Sequence, residues 1–364
     1  MAEQLNIVFL GLSITSSWGN GHATTYRGLI RELSARGHEV LFLERDVPWY
    51  AENRDLAAPQ YCRTILYDSL EELKELYAND VRRADLCVVG SYTPQGIAVC
   101  EWISGVAEGV TAFYDIDTPV TLAKLARSDC EYLRPDLISR FDLYLTFTGG
   151  PTLRRLEREY GSPMARPLYC SVDSSIYSTM PENKIWDLGY MGTYSGDRQA
   201  AVDTLLIETA RSWNEGDFVV VGPQYPQWIK WPFNVERIEH LSPREHIHFY
   251  NRQRYTLNVT RSDMIAAGFS PSVRLFEAAA CATPIISDFW EGLDEFFRVG
   301  REILVARNSR EVLQVIRELP EDERVALGER ARRRVLAEHT SARRAEELEG
   351  YVYELMSVRK TAFG

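Results

Sequence analysis

Any chemistry in this chain has to come from short polar clusters that follow apolar runs. The first is the loop Gly19, Asn20, Gly21, His22, after the apolar run Ile7–Leu10. Glycine lets a backbone come close to a ligand, and the N–H groups that open the next helix suit an anion. Gly19, Asn20 and Gly21 are therefore candidates for an acceptor or phosphate loop. The spacing Gly19-x-Gly21-x-x-Thr24 is near the dinucleotide fingerprint, and Glu44, ending the next run, could hold a ribose. A nicotinamide-dependent enzyme is one reading; Thr24 in place of a third glycine and the long, hydroxyl-rich loop count against it. Asp115 and Asp117 follow the run Thr111–Tyr114. A histidine oriented by a carboxylate is a workable general base, so His22, Asp115 and Asp117 are the candidate catalytic residues. The plainer alternatives are that Asp117 caps the helix beginning near Pro119 and that His22 only accepts or donates a hydrogen bond.

The second half carries a denser set. Gly192, Thr193 and Arg198 lie in a polar turn after Leu188–Met191. Arg261 follows Leu257-Asn-Val-Thr, and Ser270 and Ser272 precede a helical stretch holding Arg274 and Glu277. Hydroxyls beside a helix N-terminus suit a diphosphate, and Arg198 and Arg261 could meet its charge. Glu277 stands in the apolar run Leu-Phe-Glu-Ala-Ala-Ala and needs polar partners. Ribose hydroxyls would supply them, as would Arg274 one turn earlier on the same face. Trp228 and Trp231, in a Pro-flanked loop, could stack on a sugar or base, or simply pack the surface.

The elements that must position these residues follow from periodicity. Short β-branched runs alternate with helical patterns almost throughout, the mark of βαβ units and parallel sheets. In the first half the strands are expected at 7–10, 40–43, 86–89, 111–114 and 143–146. Helices follow at about His22–Arg36, ending at Gly37, and after Pro94 and Pro119. The pattern restarts with strands at 188–191, 218–221, 256–259 and 284–287, and helices at 198–213, 271–281 and 310–319. The expected division is 1–166 and 167–339, with a last helix at 340–360 whose stripe Leu348, Tyr351, Val352, Leu355 either packs locally or returns to the first domain. The 364 residues suit two domains. The net charge of −11 disfavours a nucleic-acid or membrane-surface binder. No stretch reaches the ~20 apolar residues of a membrane span, and the start lacks a basic signal region, so a cytoplasmic protein is expected. The six cysteines are scattered without a CxxC pair and read as reduced core residues. No cluster of ligand residues suggests a metal.

Taken in order, Tyr114–Leu122, Asp187–Tyr194, Thr256–Arg261, Ser270–Ala278, Pro284–Asp288 and Trp290–Leu293 resemble the CgeB-like (spore-maturation-type) glycosyltransferases, related to the retaining GT-B enzymes. The resemblance spans nearly the whole chain. It implies an α/β GT-B fold, two doubly wound Rossmann-like domains facing a central cleft. It also implies a nucleotide-sugar donor (UDP-, GDP- or dTDP-linked) held by the C-terminal domain, an acceptor held mainly by the N-terminal domain, and no required metal or other cofactor. Gly192, Thr193, Arg198, Arg261, Ser270, Ser272, Arg274 and Glu277 become the donor-binding set, with the family's ribose-binding carboxylate falling on Glu277. The broader retaining group carries a second Glu eight residues earlier, where this chain has Phe269. His22 with Asp115 or Asp117 looks like the pair used by inverting GT-B enzymes. Retention is the favoured outcome, and the acceptor hydroxyl could belong to a glycan, a lipid-linked sugar, a metabolite or a protein. A nucleotide-sugar epimerase, or an idle GT-B protein that binds without turnover, are the other readings.

Overall fold

The computed structural model describes residues 4–19 and 21–363. The chain forms two compact units, Met1–Cys170 with Ser341–Gly364, and Ser171–Thr340.

The first unit holds strands β1 (Asn6–Gly11), β2 (Glu39–Arg45), β3 (Arg63–Tyr67), β4 (Leu86–Gly90), β5 (Val110–Asp115), β6 (Leu143–Thr146) and β7 (Ala165–Pro167). They form one parallel sheet in the order β3-β2-β1-β4-β5-β6-β7. Ile7 stands opposite both Val40 and Leu86, which fixes the register at the centre. Helices cover both faces, so the central strands are continuously apolar. Alternation then divides the core: Val8, Leu10, Leu41 and Leu43 face one side, and Ile7, Phe9, Val40 and Phe42 the other. The helices are α1 (Gly21–Ala35), α2 (Pro48–Ala51), α3 (Leu70–Arg83), α4 (Gly96–Val106), α5 (Thr118–Ala126), α6 (Pro135–Ile138) and α7 (Pro151–Glu159). Gly37, at φ 97°, ends α1 through its N–H to Ser34 and that of His38 to Leu33.

The second unit holds β8 (Trp186–Met191), β9 (Phe218–Val221), β10 (Val235–Ile238), β11 (Gln253–Asn258), β12 (Ile285–Ser287) and β13 (Leu304–Val305), parallel in the order β10-β9-β8-β11-β12-β13. Its helices are α8 (Gly196–Val202) and α9 (Glu208–Ser212), joined by a π-turn at Asp203–Ile207, then α10 (Pro243–Asn251), α11 (Ser262–Ala267), α12 (Val273–Ala280), α13 (Leu293–Phe296), α14 (Ser309–Glu318) and α15 (Glu321–Glu338).

The last helix, α16 (Ser341–Phe363), belongs to the first unit, where Ala345, Leu348 and Val352 join the core under α1. Gly28 makes the close approach possible, because a Cβ there would lie 2.4 Å from the Ser341 hydroxyl. Glu349 fixes the register. It accepts two hydrogen bonds of 2.6 Å from Arg36 and one of 2.7 Å from buried His38, whose other ring nitrogen accepts from Leu5 N–H.

The sequence pattern missed β3, β10 and β13. All three are edge strands; β3 and β10 mix polar with apolar residues and β13 is only Leu304–Val305, so periodicity cannot mark them. It placed the join at 163–167, but that stretch forms β7 of the first sheet, and the units divide after Cys170.

Candidate functional site

In each sheet the crossovers reverse direction beside the first strand, between β1 and β4 and between β8 and β11. Loops at the carboxyl ends of those strands open a ligand crevice. The candidate residues fall there in both units.

In the first unit the loop after β1 is shaped by Glu44. This carboxylate is fully buried and accepts from Ser13 Oγ (2.8 Å), Ile14 N–H (2.7 Å), Thr15 N–H (3.1 Å) and Thr15 Oγ1 (2.6 Å). It is an organiser of the loop and has no lone pairs facing a ribose, which removes the nicotinamide reading. Further along, Ser17 donates twice to Asp55, itself bound by both Arg27 terminal nitrogens at 2.8 Å. Asp55 is held down to about 2 by these donors against the opposing effect of its own burial. Gly19 has φ 59°, a conformation that favours glycine, whereas Gly21 is exposed at the start of α1 with open space where a side chain would stand. Asn20 lies outside the described residues.

His22, in the first turn of α1, is partly exposed and meets the Tyr92 ring edge-on at 5.2 Å. Desolvation lowers its pKa to about 3, so it stands neutral and is a poor proton acceptor. Asp115 ends β5 and is fully buried. Its carboxylate accepts from Tyr144 Oη (2.6 Å), Thr121 Oγ1 (2.8 Å) and Asp117 N–H (3.2 Å). Burial pushes its pKa up to about 6 even against those donors. The expectation that both carboxylates could meet a substrate is therefore narrowed. Asp115 is enclosed by protein donors, and Asp117 alone is partly exposed. Asp117 sits at the N-cap of α5 but makes no capping hydrogen bond with its side chain; it accepts from Tyr92 Oη at 3.0 Å.

In the second unit, Arg274 is buried on α12 and reaches under the sheet ends. It donates to Met191 O (2.6 Å) and Asn258 Oδ1 (2.9 Å), with its guanidinium 5.0 Å from the Tyr190 ring centre. Those bonds tie β8 to β11, where the sequence had offered an Arg274–Glu277 pair instead. Glu277 is nine-tenths buried and takes its hydrogen bonds from Tyr250 Oη (3.0 Å) and Tyr177. Arg198 donates to Thr193 O at 2.5 Å, while its buried Nε has no partner. Burial lowers its pKa, and the nearby Arg274 and Arg261 charges add to that. Arg261 lies 4.0 Å from Asp197, which in turn takes two hydrogen bonds from Ser262. Ser272 is the N-cap of α12 without a side-chain capping bond, and Ser270 is buried beside it. Gly192 and Gly222 pass so closely that a Cβ on Gly222 would stand 2.1 Å from Gly192 O. Three arginines, two hydroxyls and bare backbone thus converge at the ends of β8 and β11.

Sequence reading overlooked Tyr92, Tyr144, Tyr177 and Tyr250, which bind the candidate acids, and Tyr132, which reaches Asp115 only through Thr121. The polar Ser91-Tyr92-Thr93-Pro94 stretch after the apolar run 86–89 was the available signal for the first. Trp231 packs against Tyr225 and Arg237, whereas Trp228 is 63% exposed. Phe269 adopts φ 48° against Gly292. Among the described residues, no group of three or more His, Cys, Asp or Glu side chains forms a metal site, and no helix is long and apolar enough to cross a membrane.

Two parallel sheets with these strand orders match solved structures over almost the full chain. The sucrose-phosphate synthase of Thermosynechococcus elongatus superimposes with a TM-score of 0.69 at 14% identity, covering 98% of this chain and 100% of that one. The fold is GT-B. Anabaena HepE, solved with UDP-glucose, gives 0.69 at 14% identity over 98% of this chain and 100% of its own. An alpha-glucosyltransferase, solved with UDP-glucose and DNA containing an abasic site, gives 0.72 at 12% identity over 96% and 100%. Residues 198–350 match the family model described as glycosyl transferase-like, which covers most of the second unit of this GT-B chain and part of α16. No curated protein matches the sequence. The family match and the GT-B fold together support a glycosyltransferase.

Proposed function

We propose that this GT-B protein transfers a sugar from a UDP-sugar to a hydroxyl acceptor. The observation that carries the reading is the arginine cluster of the second unit. Arg274 and Arg261 both disfavour the charge of Arg198 at one strand switch point, and the buried Nε of Arg198 is unmatched. A diphosphate satisfies that cluster with charge-assisted hydrogen bonds. Ser270, Ser272 and the Gly192–Thr193 backbone line the same crevice, and Glu277 holds the ribose. HepE and the alpha-glucosyltransferase, both solved with UDP-glucose, support uracil as the base. The acceptor hydroxyl hydrogen-bonds to Asp117 in the first unit, with neutral His22 beside it. A poor base at His22 fits retention, in which the departing phosphate oxygen takes the acceptor's proton. The arginines supply the positive charge that stabilises this leaving group, a metal-independent, CgeB-like scheme operating in the cytoplasm.

The test is a binding panel of UDP, GDP, dTDP and ADP and their glucose conjugates, followed by product analysis. Binding of UDP and slow release of UDP from UDP-glucose are expected, with the anomeric form of the sugar product reporting retention. Absence of binding to every nucleotide would sink the reading. Conversion of the donor sugar without transfer would identify an epimerase. Phe269, where the retaining group carries an acid, favours one second reading: a protein that binds UDP-sugar and never turns it over.

A further inference from the structure

We propose that Tyr92 is a positioning residue for Asp117, the near end of a hydrogen-bonded chain that runs through Tyr132 and Thr121 to buried Asp115. The role in turnover rests on the acceptor reading of Asp117; the chain itself is independent of it.

Tyr92 lies after β4, the strand next to β1, at φ 62°. For a bulky residue this left-handed backbone is costly and persists only when its surroundings impose it. Here both neighbours do so. Ser91 N–H donates to Tyr114 O, and its hydroxyl accepts from Ile116 N–H, fixing the loop to the end of β5. The Thr93 hydroxyl reaches Gly90 O (2.8 Å) and Leu10 O (3.2 Å), fixing it to β4 and β1. The strained residue is thus clamped on each side, and the clamp aims one phenol at one carboxylate, 3.0 Å away.

The ring is fixed as firmly as the backbone. His22 from α1 meets it edge-on, Tyr132 packs at 4.6 Å, and the Lys124 ammonium from α5 lies 5.7 Å from its centre. Lys124 is balanced by Glu131 at 3.2 Å. Tyr132 hydrogen-bonds Tyr92 and reaches the Thr121 hydroxyl at 2.8 Å, and Thr121 lies 2.8 Å from Asp115 Oδ1. Each hydroxyl carries a single proton. The Tyr92 proton is committed to Asp117 and the Thr121 proton to Asp115, so the single Tyr132 proton serves either Tyr92 or Thr121, and it supports Tyr92 only as donor. Burial and the two acids raise the Tyr92 pKa, so the phenol stays protonated and Asp117 keeps its donor across neutral pH. A tyrosine chosen only to fill space would need neither the strained backbone nor the hydroxyl.

Tyr92→Phe keeps the ring and deletes the donor. The readout that does not depend on turnover is the carboxyl ¹³C titration of Asp117 in the full-length protein, its signal assigned by its loss in Asp117→Asn. A phenol donating to a carboxylate favours the charged form, so the Asp117 midpoint is expected to rise by about one pH unit in the variant. An unchanged midpoint overturns the proposal. With UDP-glucose as probe, kcat for UDP release should fall about tenfold with KM little changed, and its pH profile should move with the Asp117 midpoint. The double variant should be no slower than Asp117→Asn alone, because both changes act through one carboxylate. Additive losses would overturn the positioning role. A moved midpoint with unchanged turnover in both single variants would leave the chain standing and refute the acceptor assignment of Asp117.

Discussion

Replacing Glu277 separates two jobs that this carboxylate could do. It accepts hydrogen bonds from Tyr250 and Tyr177, both almost fully buried, and is proposed to hold the donor ribose. Glu277→Ala strands the Tyr250 phenol and leaves Tyr177 with His246 Nδ1 at 3.4 Å. One unsatisfied buried phenol costs about 1–3 kcal/mol in the free protein. For a domain of this size, about 2–4 °C follow per kcal/mol, and the second unit should melt a few degrees lower. Glu277→Gln keeps one carbonyl acceptor and the side-chain volume, so its free stability should fall by only about 1 kcal/mol. Affinity for UDP behaves differently. Exchanging charged for neutral hydrogen bonds to the ribose is worth about 1–2 kcal/mol, a 5- to 30-fold weakening. Calorimetric titration of UDP into Glu277→Gln, beside a melt of the ligand-free protein, reads both quantities. Wild-type affinity together with a lowered melting point would show that Glu277 serves only the tyrosines, and the ribose assignment would fall.

Arg198→Met should weaken UDP binding about 10- to 100-fold while leaving the ligand-free protein as stable as before or more so. The reason is that burial and two neighbouring arginines already disfavour its charge; a large loss of ligand-free stability would contradict this. Asp115→Asn should flatten a pH dependence. Because burial raises Asp115 to about 6, the folded protein holds a proton that the unfolded chain releases near pH 4, so stability from this group is present at low pH and lost as pH rises through about 6. The full difference amounts to about 3 kcal/mol, of which about 2 kcal/mol falls between pH 4.5 and pH 7. Urea denaturation at pH 4.5 and pH 7 should show a smaller gap between the two conditions in the variant than in wild type, and equal gaps would refute the linkage. Removing α16 exposes the cavity left by Leu348 and Val352, worth about 3–6 kcal/mol together, and deprives His38 of Glu349. The truncated chain should show early proteolysis of the first unit; a soluble protein with a native melting point would contradict the packing role.

The sequence by itself determined the alternation of buried strands and helices, because a sheet covered on both faces demands continuous apolar runs. Ile7–Leu10, Leu86–Val89 and Phe218–Val221 declare themselves for that reason. Gly37, Pro94 before α4 and Pro119 in the first turn of α5 marked helix boundaries by backbone rules that act locally. The polar loops after β1, β5, β8 and β11 were legible too, since hydroxyls and glycines interrupt the apolar pattern there. The edge strands β3 and β10 were not, because half-exposed strands tolerate polar residues and lose their period, and β13, two residues long, has no period to show. What each polar side chain does was decided only by tertiary structure. Asp115 and Asp117 are two residues apart and chemically identical, yet one is enclosed by Tyr144 and Thr121 and the other is partly exposed beside Tyr92. Glu44 looked like a ribose ligand until the loop folded back to consume its lone pairs. Hydrogen-bond partners and desolvation come from residues distant in the chain, and no local spacing encodes them.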